Sequence, residues 1–178
     1  MNDRRGVLVV LALLAGLTGC MSGGNDGDEG GDHAARLEAD RTSAGRVART
    51  LATRLSVELP GRASGQQGSF RGCRERFPEG VAAVEYVASA RVDAPAAGGD
   101  DLMEPVPALL SSLGYGDPVA SEVPGGRRWA VDADEFSVSV TTRPAAGPFV
   151  LVSVIGACRD IPADEQDVWL DRGVDDLT

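Results

Sequence analysis

The sequence predicts an α+β fold. It is a two-layer sandwich in which a mainly antiparallel sheet of roughly four strands is covered by two helices, in the order α-β-α-β-β-β. Three observations carry this. Apolar residues recur at three- and four-residue intervals from Ala34 to Val57, the period of a helix with one buried face. Val84 to Val92 alternate cleanly, the period of a strand with one buried face. From Trp129 to Ile155, three strand-like runs follow one another across short turns, and strands linked as hairpins are antiparallel by construction. The 178 residues are 43% apolar but only 4% aromatic. They suit a single core built mostly of Val, Leu and Ala.

In the first helix, Leu37, Ala44, Val47, Ala48, Leu51 and Leu55 form the apolar face, and Arg36, Arg41, Arg46, Arg49 and Arg54 fall mostly elsewhere, as on a solvated face. Pro60-Gly61 stops it. Gly61 to Gly80, rich in Gly, Ser and Gln, is expected to be a loop. The first strand places Val84, Tyr86, Ala88, Ala90 and Val92 on one side. Pro105 and Pro107 suit the first turn of a short helix with a Val106, Leu109, Leu110, Leu113 stripe and Gly114 as its stop. Trp129 to Ala133 and Phe136 to Thr142 alternate around an Asp132–Glu135 turn. Phe149 to Ile155 is apolar on both faces, which predicts a central strand covered on two sides. Pro162 to Thr178 is expected to be an acidic tail outside the domain of residues 34–161, with a helical turn or two and Trp169 as its docking point. No internal repeat is visible.

The beginning of the chain sets its expected address. Arg4 and Arg5 precede an apolar run of about thirteen residues, Gly6 to Thr18. That is signal-peptide length, short of the ~20 residues a membrane-spanning helix needs. The run closes on Leu17-Thr18-Gly19-Cys20, which resembles the lipobox of bacterial lipoproteins. That resemblance implies removal of residues 1–19, lipidation of Cys20, and a protein held by acyl chains at the extracytoplasmic face of the cell membrane. Arg4-Arg5 fits a general export signal and, more faintly, a twin-arginine one. Residues 20–33, with Asp26, Asp28, Glu29 and Asp32 among glycines, are expected to form an extended tether. Their acids lack the order of a calcium loop.

Net charge is −10. An acidic domain gains nothing from counterion release, which argues against nucleic acid as a partner, and anionic lipid would repel it, so lipid on Cys20 must supply the membrane contact. All seventeen basic residues are Arg, a composition of GC-rich genomes such as those of actinobacteria.

With Cys20 assigned to lipid, Cys73 and Cys158 remain, an even count in an exported chain. A disulfide is expected, with free thiols or a redox pair as the other readings; no C-x-x-C supports the last. Catalytic sets are poorly represented. The one histidine, His33, falls in the expected tether, too far from a fixed partner for a Ser-His-Asp site, and zinc would need several Cys or His ligands. Asp132, Asp134 and Glu135 form the densest acidic group inside the expected folded part, residues 34–161, which suits a solvated turn better than a carboxylate-dependent hydrolase. No cofactor motif is present. Trp129 and Trp169 suit either core packing or ligand stacking.

Beyond the lipobox, the segment from Arg71 to Ile161 is similar to small actinobacterial lipoproteins of the LppA type. The likeness rests on a cysteine before the first strand, a helix ending Leu113-Gly-Tyr115, the Trp129–Thr142 hairpin and a last strand reaching Gly156-Ala-Cys158. Gly156-Ala157 stand where that family has Ser-Pro. The resemblance implies an envelope lipoprotein and transfers no catalytic residue. The functional expectation is a non-catalytic domain that binds an envelope component. A carrier of a lipid or other apolar ligand is the alternative.

Overall fold

Val81–Asp93 is the strand around which the structure, a computed structural model, is assembled. Residues 29–74, 78–95, 101–133 and 135–178 are described, so the leader, Cys20 and Asp134 lie outside them. The elements are α1 (Glu29–Glu58), β1 (Arg62–Gly72), β2 (Val81–Asp93), α2 (Val106–Ser112), β3 (Val119–Val123), β4 (Gly126–Asp132), β5 (Phe136–Thr142), β6 (Phe149–Gly156), β7 (Arg159–Pro162), α3 (Gln166–Leu170) and β8 (Asp175–Asp176). The strands form one antiparallel sheet in the order β3-β4-β5-β6-β2-β1-β8, with β7 also paired to β2. The α+β class therefore holds. Among the described residues the expected four strands are eight, the two helices are three, and the element order differs accordingly.

Alternation decides which face of the sheet is covered. Val84, Tyr86, Ala88, Ala90 and Val92 of β2 are all buried, as are Val150, Val152 and Val154 of β6 and Val138 and Val140 of β5. Helix α1 lies across this face over β1, β2, β6 and β7, with Leu37, Leu51 and Leu55 and the small Ala44, Ala48 and Ala52 pointing down. Small alanines on this face let the helix sit close to the sheet. Helix α2 extends the cover toward β4 through Val106 and Leu110. Among the described residues the other face has no helix. Leu151 is 37% exposed there, so β6 is central but covered on one side, contrary to its apolar pattern.

Four boundaries also depart from expectation. Helix α1 starts at Glu29, so residues 29–33 belong to it and not to a tether. Asp32 pairs with Arg36 one turn on, and the His33 ring bonds the Glu165 carboxylate at 2.7 Å, tying the first turn to the C-terminal region. The expected Gly61–Gly80 loop contains β1. Its poor strand residues are tolerated because β2 supplies the pairing, and at Gly68 a side chain has no room: a Cβ there would lie 2.1 Å from the Tyr86 Oη. Strand β3 escapes the sequence pattern, being five residues between Pro118 and Pro124. The C-terminal tail is part of the domain. Trp169 packs edge-on against Phe70 at 5.0 Å, Phe70 against Tyr86 at 4.9 Å, and β8 pairs with β1.

Candidate functional site

Cys73 and Cys158 form a disulfide, with Cα atoms 5.9 Å apart, joining the end of β1 to the β6–β7 connection. It lies at the same end of the sheet as the start of α1, where Asp40 receives two hydrogen bonds from Arg159, at 2.8 and 3.0 Å. Nearby, the C-terminal segment is clasped to α1. Arg41 donates to both oxygens of Asp175, at 2.7 and 2.8 Å, and the Tyr86 hydroxyl donates to the same carboxylate at 2.7 Å. Arg172 pairs with Glu38 and sits 4.8 Å over the Trp169 ring.

These charges are occupied with one another. The Arg41 hydrogen bonds hold the Asp175 carboxyl below its ordinary value. Burial, reinforced by Asp175, pushes the Tyr86 phenol upward. A carboxylate committed to a guanidinium and a phenol is a poor general base, and a phenol so raised is a poor nucleophile. The cluster is a fastening. His33, with its ring bonded to Glu165, belongs to the same end.

Of the acidic group marked in the sequence, Asp134 lies outside the described residues, and the other two are not gathered into a cleft. Asp132 and Glu135 are exposed at the tip of the β4–β5 hairpin, where the Ala133 N–H donates to the Phe136 carbonyl at 2.9 Å. Among the described residues, no three His, Cys, Asp or Glu side chains are arranged to hold a metal ion. No described helix is long and apolar enough to cross a membrane.

Of the two tryptophans, Trp169 is core and Trp129 is a surface feature. Trp129 is half-buried on β4 and faces a hollow of about 330 Å³ lined also by Asp101, Met103, Glu104, Pro107 and Arg127. Strand register explains the arrangement. Trp129 pairs with Val140 and Ala120, and Arg127 with Thr142 and Glu122, so Trp129 and Arg127 stand on the helix-bearing face. The α2 region lines the hollow beside Trp129, which stays partly open. On the opposite face of the same hairpin, Arg128 stands between Ser121 and Thr141, and its Nε is buried without a hydrogen-bond partner. Sequence reasoning missed Arg128, because its neighbours depend on the pairing of three strands. A second hollow of about 310 Å³ lies between the β1 bulge at Gly65–Gln67 and the C-terminal residues Val174–Asp176 and Thr178. Both hollows are open to solvent.

No family model matches the chain, and no curated protein does. Among solved structures, the PH1012 protein of Pyrococcus horikoshii aligns with 67% of this chain and 79% of its own at 13% identity, with a TM-score of 0.16, and nothing here rests on it.

Proposed function

We propose that the protein is an envelope lipoprotein, anchored through lipid on Cys20 at the extracytoplasmic face of the membrane, whose folded part is a non-catalytic binding domain. The observation that carries the binding role is the position of the Trp129 hollow. The chain from Cys20 enters at the start of α1, a helix of 30 residues and therefore about 45 Å long. The end of α1 leads through Gly61 into Arg62, paired with Asp93, and this is the end of the sheet to which Arg127 belongs, through Thr142, Val150 and Val92. The hollow thus lies at the end of the sheet opposite the start of α1, the end by which the chain from Cys20 enters the domain. The Cys73–Cys158 bridge supports export, because disulfides persist in oxidising compartments. The carrier alternative calls for enclosed apolar space, whereas the Trp129 hollow and the hollow beside Gly65–Gln67 are open and partly polar.

Detergent phase partitioning tests the anchor. The wild-type chain expressed in its own host enters the detergent phase, and Cys20→Ser remains in the aqueous phase. A wild-type protein found in the aqueous phase overturns the proposal.

A further inference from the structure

We infer that the free edge of β3 accepts an extended segment of a partner protein as an added antiparallel strand, carrying a carboxylate opposite Ser121, a basic residue opposite Glu122 and an apolar residue opposite Ala120. This rests on the binding-domain proposal and supplies the chemistry of its partner.

Among the described residues β3 ends the sheet, and four of its five residues are exposed, Val119 by 69%. The two-residue turn Pro124-Gly125, with Gly125 at φ +75°, closes the Val123–Gly126 pair. By antiparallel alternation, Val123, Ser121 and Val119 bond to β4, while Ala120 and Glu122 turn their N–H and C=O groups outward. Those groups are the template for a further strand. Pro118 and Pro124 bracket it, so the edge takes a short segment and is a poor start for open-ended stacking.

The side chains supply selectivity on both faces. An added strand stands about 4.8 Å beyond β3. On the helix-free face the small Ser121 separates it from Arg128, which has no ion pair among the described residues, and whose Nε lacks a partner. A carboxylate opposite Ser121 is within reach of that guanidinium and satisfies it. On the other face, Ala120 separates the added strand from Trp129, so an apolar side chain opposite Ala120 extends over the hollow. Glu122 makes only a 3.4 Å contact with Arg127 and is open to a basic side chain. A second copy is a worse fit. Paired through β3, it presents Val119, Ser121 and Val123 to the Arg128 face and no carboxylate.

The probe is a fluorescein-labelled Val-Arg-Glu-Phe-Val peptide, titrated by anisotropy against the full-length protein in mild detergent. Saturable binding is expected, weakened roughly tenfold by Arg128→Ala or by exchanging Arg and Glu within the peptide. Backbone methylation of the peptide tests the edge without altering the protein. Methylating the Arg or the Phe amide, which face β3, abolishes binding, and methylating the Glu amide leaves it intact. Absence of saturable binding at millimolar peptide, or binding indifferent to the methylated position, overturns the inference. So does a concentration-dependent dimer in which β3 amides become protected from exchange, because the edge then takes a second copy. None of these results alters the Cys20 phase partition, so the two proposals fail separately.

Discussion

Arg41 and Asp175, 134 residues apart in sequence, meet through two hydrogen bonds of 2.7 and 2.8 Å and fasten the end of the chain to the first helix. The Tyr86 hydroxyl shares the carboxylate, so one aspartate links α1, the central strand and β8. Asp175→Asn should cost about 1–2 kcal/mol, the range for losing charge-assisted hydrogen bonds in a partly exposed setting. Chemical denaturation of the two proteins measures it.

The same contact has a defined pH dependence. Arg41 lowers the Asp175 carboxyl in the folded protein from its ordinary value of 3.8, so the ionised form is favoured by folding. Its contribution is complete above that value and disappears as pH falls through the folded value beneath it. The stability gap between wild type and Asp175→Asn should be full at neutral pH and narrow only below about pH 4. A gap that instead narrows between pH 6 and 8 would exclude Asp175 as its source.

Gly68→Ala places a methyl where the Tyr86 hydroxyl now lies. Tyr86 is fully buried and cannot swing into solvent without leaving Phe70 and Asp175. A loss of about 1–3 kcal/mol is expected from the forced shift. In a Tyr86→Leu background the same Gly68→Ala change should cost clearly less, because the ring atoms it strikes, Cε1 and Cζ as well as Oη, are gone. A double-mutant cycle reads the difference.

How much of this could be seen in the sequence depends on whether a segment carries its own pattern. Leu37, Leu51 and Leu55 announce α1, and Tyr86, Ala88 and Ala90 announce one face of β2, because each periodicity is local. β1 has no such signal. Its Ser, Gly and Gln residues form a strand because β2 offers a partner and Tyr86 needs the space over Gly68. The tail has few apolar anchors, Trp169 and Leu177 among them, and its fastening through Asp175 depends on a helix more than a hundred residues earlier. At the candidate site, Cys73 and Cys158 were legible by counting, whereas Arg128 and the β3 edge exist only once Ser121, Arg128 and Thr141 are in register.

One-sided coverage of the sheet predicts opposite outcomes for neighbouring residues of β6. Val152, fully buried beneath α1, should lose about 1–3 kcal/mol as Val152→Thr, which buries a hydroxyl. Leu151→Thr, on the open face, should stay within about 0.5 kcal/mol of wild type. Equal losses at the two positions would mean that both faces are covered.

Removing the bridge as the double variant Cys73→Ala, Cys158→Ala should lower stability by about 2–5 kcal/mol, since the bond restrains a long stretch of the unfolded chain. Thermal unfolding of the variant and of the reduced wild type should then give similar midpoints.

The most direct measurement is the intact mass of the protein extracted from its own membrane, denatured but not reduced. The expected mass is that of a chain lacking residues 1–19, carrying acyl groups on Cys20, and two hydrogens lighter than its dithiol form because of the Cys73–Cys158 bridge. An unacylated chain beginning at Met1 would contradict the anchor on which the proposed function rests.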